Sequence, residues 1–492
     1  MFGLALLCLL GVSIPILIAP GPAGAVVTAV YEWMARELGL IYQWATLFTL
    51  GFLAWLALGR HGTRVLGRTP EPEYGNASWM AMLFCAGIGG GLMYWSTIEW
   101  AFYVDQPPFG VEPGSAAARE WAATYGVFHW GPAAWGLYAL PTVAIAWPYY
   151  RYDLPCLRFS GALVGLFGRG FPDRPLGRAV DFFFIIAIIG GTGTSLGLTT
   201  PMLGAVAARL FGIDESLGLT WLITVACVAL FGTSAYLGLD RGIKRLSNVN
   251  LVLAGVFLAW VLAAGPARFA LELGTSSVGL MLQEFVRMST WTEPLADTGF
   301  VEDWTIFYWA WWIAYGPFMG LFVTRISRGR TLRALILGMA GFGTLGCAAF
   351  YIVWGNSVLW LDLQGGLGLL DLVRAGDAAT AIAAALGALA GQPWPLLLFL
   401  VLGFVFMATT YDSASYAIAG AATRDLRPGA HPHRAHRLFW AAALAFLPVA
   451  LVVIDSLEAV RSAVLVASLP ILVIGVLAVV SLLRSLRVDD AT

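Results

Sequence analysis

Long apolar runs recur twelve times along this chain, roughly at 2–20, 39–58, 77–104, 117–149, 179–200, 217–238, 248–267, 303–325, 332–361, 393–421, 437–455 and 462–483. Runs of this length constrain the fold more than any other feature. About 20 apolar residues cross the hydrocarbon core of a bilayer as a helix, whereas a strand needs only about 10. Inside lipid the backbone must satisfy its own polar groups, and a single segment can do so only as a helix. The chain is therefore expected to be an all-α polytopic membrane protein with about twelve transmembrane helices. Composition agrees: of 492 residues 59% are hydrophobic and only 12% charged, about half the charge of a soluble domain. A net charge of −1 gives no basic face for nucleic acid. The lipid bilayer is the first expected partner.

The loops orient the spans. Alternate loops hold twenty-one of the 28 Lys and Arg residues, at Arg60–Arg68, Arg151–Arg178, Arg241–Arg245, Arg325–Arg333, Arg424–Arg437 and Arg484–Arg487. The positive-inside rule puts these loops and both termini in the cytoplasm of a cell (inner) membrane. Residues 1–20 have no basic leader and no small-residue cleavage site, so they read as a first span and not as a removed signal. The five cysteines, Cys8, Cys85, Cys156, Cys227 and Cys347, show no metal-ligand spacing. No catalytic residues, cofactor or metal are expected, beyond Na⁺ as a coupling ion.

The spans group as two N-terminal helices at 1–76, five helices at 77–269, an amphipathic interfacial helix at 270–300, five more helices at 301–484, and a tail at 485–492. The first span of each five-helix unit carries a helix breaker, Ala86-Gly87-Ile88-Gly89-Gly90-Gly91 in one and Gly316-Pro317 in the other. Interrupted helices at matching places in two halves mark the midplane site of a secondary transporter. Unwinding is expected at both. Glycines can alternatively serve close helix packing.

Aromatic residues sit where membrane proteins seldom place them. Trp usually lies at headgroup depth, yet Trp311, Trp312 and Tyr315 fall half-way along 303–325, and Trp130 half-way along 117–149. Trp130 and Tyr138 are about two turns apart, and Trp135 lies near their face. Two such faces suit a trimethylammonium group, which cannot donate a hydrogen bond but gains up to about 2 kcal/mol per ring contact when desolvated. Core packing of the rings is the plainer alternative. Glu99, late in 77–104, is an intramembrane carboxylate. It can be structural, paired with a neighbour such as His129, or part of coupling. Thr409 and Thr410, followed by Asp412, Ser413 and Ser415, offer oxygen ligands to a dehydrated Na⁺. Carbonyls of Cys85, Ile88 and Phe406 complete the shell. Otherwise these hydroxyls bond back to their own helix.

With these residues in hand, the chain resembles the betaine/carnitine/choline transporter family over about 40–480. The resemblance rests on Ala86–Gly91, His129–Tyr138, Gly242-Ile-Lys-Arg-Leu-Ser-Asn-Val-Asn250, Trp304–Arg330 and Thr409–Ser415, in that order. It implies a leucine-transporter-type 5+5 inverted repeat, alternating access and a homotrimer. It also implies that Trp130, Trp135, Tyr138, Trp311, Trp312 and Tyr315 line the substrate site and that Trp304 serves an outer transient site. Within the family the chain looks most similar to carnitine/γ-butyrobetaine exchangers. Those also carry Glu-Trp after the glycines, as Glu99-Trp100 here, a Tyr at the position of Tyr315, and a Met at the position of Met319. They place an arginine where this chain has Asn250, while Thr409 and Thr410 match the hydroxyl pair of Na⁺-coupled members. The short tail lacks the basic helix of osmotically regulated carriers, so osmotic activation is not expected.

The expected function is secondary transport of a zwitterionic quaternary ammonium compound, its carboxylate meeting the N–H groups of Gly87, Gly89 and Gly91. A Na⁺-coupled amine or amino-acid symporter of the same architecture is the alternative. A membrane enzyme using His129 and Glu99, or a transporter-like sensor, ranks behind both.

Overall fold

A computed structural model describes residues 20–490, apart from 156, 238–241, 296–297, 424–430 and 445–456, together with isolated positions before residue 20. The main helices are α1 Pro20–Leu58, α2 Asn76–Asp105, α3 Ala116–His129, α4 Pro132–Arg151, α5 Pro175–Phe211, α6 Leu217–Leu237, α7 Lys244–Ala264 and α8 Ala267–Thr290. They continue with α9 Phe307–Ile326, α10 Leu332–Ala349, α11 Asn356–Leu363, α12 Ala378–Gly387, α13 Trp394–Ala422, α14 Arg434–Leu444 and α15 Leu457–Asp490. Among the described residues there is one isolated β-bridge, Val65 with Thr331.

Among the described residues, nine helices are long and apolar enough to cross a bilayer. They match nine of the twelve expected runs. The run at 2–20 lies almost wholly outside the described residues, and 437–455 lies partly so. The third exception, 117–149, is a correction: it is not one helix. α3 closes at Trp130, whose N–H bonds the Gly126 carbonyl, and Gly131 is non-helical at ψ −146°. Pro132 then opens α4, in the first-turn position where its missing N–H costs nothing.

The two expected breaks behave differently. In α2 the backbone does leave the helix, at Gly89 (φ 54°, ψ −157°), a region open essentially to glycine alone. In α9 it does not: the helix runs unbroken through Gly316-Pro317, which corrects the expectation of unwinding there. Packing explains the glycine. A Cβ on Gly316 would lie 3.1 Å from Pro141 Cγ, and one on Gly320 2.7 Å from Ile145 Cδ1, so the pair forms a notch that seats α4. The irregularity of this span lies earlier, in a π-turn at Val301–Ile306. Glu293 accepts hydrogen bonds there from the N–H of Val301 (2.7 Å) and Thr298 (3.1 Å).

α2 and the Val301–Ile326 span are wholly buried over their apolar windows, whereas α6 and α7 are only 33% and 28% buried. The first two are thus the axis of the molecule and the others its lipid-facing wall. α9 packs on α4, α15 and α5, and α2 packs on α3, α13, α7 and α5. α8 buries Ala270, Gly274, Ser277, Met281 and Met288 along one face and turns the Arg268–Glu272 pair (2.8 Å) outward.

Candidate functional site

Four rings meet where the Trp130-Gly131 break faces the middle of α9. Trp312 lies 4.9 Å from Trp130 at 72° and 5.6 Å from Tyr138 at 83°, and Tyr138 lies 6.1 Å from Tyr315. Trp311 stacks on Trp312 at 5.1 Å. Helical spacing puts residues three and four apart on one surface, so Tyr308 joins the row, stacked on both Trp311 (6.2 Å) and Trp312 (5.7 Å).

The indole N–H groups are turned away from these contacts. Trp312 donates to the carbonyl oxygen of His129 (2.9 Å), and Trp130 donates to Glu99 Oε2 (3.1 Å). The Tyr138 hydroxyl donates to the Gly87 carbonyl (3.2 Å). The buried Tyr315 hydroxyl finds no partner among the described residues. Trp135 is placed differently: its ring is wedged between Gly87 and Gly343 and meets the others only through Tyr138, at 5.6 Å. The Met319 methyl would lie 3.0 Å from a Gly87 side chain, so glycine is what lets Trp135 and Met319 share that corner. Gly91 faces Trp311 and Trp130. Trp304 lies one turn before Tyr308 and stacks on it at 6.4 Å, with Tyr103 (4.8 Å), Phe102 (5.2 Å) and Trp95 (5.8 Å) around it.

Glu99 is fully buried and works as a hub. Oε1 accepts from the Tyr103 hydroxyl (2.5 Å), and Oε2 accepts from Tyr308 (2.6 Å), Tyr351 and the Trp130 indole. His129 Nδ1 pairs with the Tyr103 hydroxyl at 2.8 Å and lies 3.9 Å from Glu99 Oε1. A buried carboxylate needs such donors, and hydrogen bonds to a charged group are worth about 1.5–3 kcal/mol each. The expected His129 neighbour is present, but three tyrosines hold the carboxylate and sequence reasoning named none of them. Tyr308 was detectable from its spacing to Trp311 and Trp312. Tyr351 was not, because a π-turn at Phe350–Gly355 aims it across from a distant helix.

The ion-site candidates are joined only in part. The Thr410 hydroxyl crosses to the Cys85 carbonyl (3.2 Å), whereas Thr409, Ser413 and Ser415 donate back to carbonyls of their own helix, those of Phe406 (2.9 Å), Thr409 (2.7 Å) and Asp412 (2.8 Å). A Cβ on Gly89 would lie 2.6 Å from Thr410 Oγ1. Ile88 directly precedes that break. Asn250 donates to Cys85 Sγ (3.4 Å), and its own oxygen has no partner among the described residues. These are hard oxygen donors of the kind Na⁺ takes. No cluster of three His, Cys, Asp or Glu suited to another metal occurs among the described residues.

The site thus joins a fully buried aromatic cluster, one broken glycine helix and a pair of threonines, all within a bundle of membrane-spanning helices. A family model described as BCCT, betaine/carnitine/choline family transporter, matches residues 1–491. Members of that family move quaternary ammonium substrates through the membrane and are not enzymes. The chain belongs to the betaine/carnitine/choline transporter family.

Proposed function

We propose that the chain carries a zwitterionic quaternary ammonium compound of the carnitine or betaine type by alternating access, holding the ammonium in an aromatic box. The single observation behind this reading is the four-ring cluster Trp130, Trp312, Tyr138 and Tyr315, with neighbouring centroids 4.9–6.1 Å apart. Both indole N–H groups are already bonded outside it. A trimethylammonium group needs ring faces and no acceptors. A primary amine would need carbonyls and carboxylates, and the one carboxylate here is already saturated by three hydroxyls and an indole.

The substrate carboxylate meets the N–H groups of the Gly87–Gly91 segment, freed where Gly89 leaves the helix, and the hydroxyl of Tyr315. Na⁺ binds between the Thr409 and Thr410 hydroxyls and the carbonyls of Cys85, Ile88 and Phe406. Met319 fills the corner beside Gly87 as in the carnitine exchangers. The helices α2, α3, α4, α9 and α10 move against the rest, within two five-helix units at 77–269 and 301–484. Both termini face the cytoplasm, and three copies assemble.

Flux of labelled carnitine into proteoliposomes tests the reading. Uptake driven by a Na⁺ gradient, or by internal γ-butyrobetaine, and inhibited by trimethylated but not unmethylated analogues, is expected. Inhibition by unmethylated amino acids at equal potency overturns the box.

A further inference from the structure

His129 ends α3 one residue before Trp130 and is fully buried, and no step of the proposed transport uses its ring. Both ring nitrogens are engaged, each in a different way. The Tyr103 hydroxyl gives its one hydrogen to Glu99 Oε1 (2.5 Å), so toward His129 Nδ1, 2.8 Å away, it has only acceptor capacity left. Nδ1 therefore carries a hydrogen and donates it. In the neutral ring Nε2 is then the bare nitrogen, and it faces Thr305 Oγ1 at 3.2 Å. A hydroxyl rotates to serve as donor or acceptor. Thr305 thus donates to Nε2 when the ring is neutral and accepts from Nε2–H when it is protonated, with no heavy atom displaced.

The surroundings suit both states. Glu99 Oε1 lies 3.9 Å from Nδ1, a counter-charge for an imidazolium. The ring also faces Tyr125 of α3 (5.2 Å) and Tyr308 (4.8 Å) and Trp309 (5.7 Å) of α9, with Tyr351 of the Phe350–Gly355 turn on the far side of Glu99. Further out, Arg287 of α8 lies over the Phe109 ring, and Glu293 is bonded to the N–H groups of Val301 and Thr298. Thr305 belongs to the Val301–Ile306 π-turn, whose Glu302 and Asp303 are partly exposed, so Nε2 is turned toward an end of the span that meets water. The ring is also tied to the aromatic cluster. Its neighbour Tyr308 stacks on Trp312 (5.7 Å), and the His129 carbonyl oxygen accepts the Trp312 indole N–H (2.9 Å). A cation on this imidazole draws on the same ring faces as an ammonium in the cluster, and repels it.

We propose that His129 Nε2 binds a proton, with Thr305 as its acceptor and Glu99 as its counter-charge, and that this proton and a quaternary ammonium in the ring cluster each weaken the binding of the other. The coupling is reciprocal: when the ammonium binds, the proton leaves Nε2 for water and the ring returns to its neutral form. The inference rests on the aromatic-box reading.

The test is isothermal titration of carnitine into the purified full chain between about pH 8 and about pH 5.5, either side of an ordinary histidine. Two buffers of different ionisation enthalpy count the protons released per carnitine bound. Wild type is expected to bind at least about 5-fold more weakly at the acid end and to release protons there. His129→Asn keeps a donor toward Tyr103 but has no titrating nitrogen, so its affinity should stay level with pH and its proton release should vanish. Thr305→Val withdraws the acceptor from Nε2–H, and hydrogen bonds to a charged group are the stronger ones, so its loss of affinity should begin at a lower pH. This second variant guards against the first failing to fold. Carnitine binding that is level with pH in wild type overturns the proposal and leaves the box standing. So does a wild-type pH profile in folded His129→Asn or in Thr305→Val. No binding of carnitine at any pH removes the box, and this proposal with it.

Discussion

Replacing Gly89 by alanine tests the break in α2 most sharply, because two costs can be worked separately. The first is conformational: at φ 54° and ψ −157° a side chain costs about 1–3 kcal/mol. The second is steric. The new Cβ falls 2.6 Å from Thr410 Oγ1 and 3.3 Å from its Cβ and Cγ2, so the threonine must turn and lose its bond to the Cys85 carbonyl, worth about 1 kcal/mol. Together Gly89→Ala should cost about 2–4 kcal/mol. Thermal unfolding of the purified protein reads the loss, and equilibrium binding of labelled substrate with and without Na⁺ reads its effect on the site. Gly51→Ala is the control, since Gly51 has nothing near its missing Cβ and alanine favours a helix. Removing the obstacle separates the two costs. In Gly89→Ala/Thr410→Ala the steric part is gone and the conformational part stays, so the double variant should be about 1 kcal/mol better than the sum of the singles. If Gly89→Ala matches Gly51→Ala in both assays, the break is not held where we describe it. If the singles simply add, Thr410 is not what Gly89 makes room for.

Trp312→Ala removes the ring shared by Trp130 and Tyr138. At about 0.5–2 kcal/mol per lost cation contact, substrate affinity should fall about 2- to 30-fold by isothermal titration; wild-type affinity would refute the box. Glu99→Gln leaves the shape but withdraws the charge from four donors. It should lower the unfolding temperature and also weaken substrate binding through Trp130, whereas Tyr351→Phe, which removes one donor, should do less of both. Gly320→Leu drives a side chain into Ile145 and should destabilise the protein without selectively changing Na⁺ dependence in flux assays, while Thr409→Ala should change Na⁺ dependence while leaving stability nearly intact.

Much of the fold is written in hydropathy, because a span's length is set by the bilayer. The run at 77–104 is Asn76–Asp105 in the structure, and 393–421 is Trp394–Ala422. Breaks are written less clearly. Glycine and proline mark places where a helix can open or where a neighbour comes close, and only the neighbour decides which. Gly89 opened because Thr410 approaches it in a conformation no other residue adopts; Gly316 stayed helical because α4 needed the space. Trp130-Gly131-Pro132 carries the same ambiguous signal, and there the helix does end, at Trp130, before Pro132 starts the next one. The rings on α9 were legible from helical period. Around Glu99, Tyr103 and Tyr308 follow from helical spacing, four residues from Glu99 and from Trp312 respectively, whereas Tyr351 does not, since the π-turn at Phe350–Gly355 that places it leaves no local trace.

The notch at Gly316 and Gly320 has a consequence for how the ring cluster can come apart. Close backbone contact makes α4 and α9 behave as a single stiff plate, so Tyr138, Trp312 and Tyr315 travel together. Trp130 lies on the far side of the Gly131 break. It is tied to that plate by hydrogen bonds, from Trp312 to His129 and through Glu99 to Tyr308. Such bonds can be exchanged at little net cost, while an interlocked van der Waals surface cannot slide without losing its fit. The cluster therefore has one seam, and it runs along Trp130.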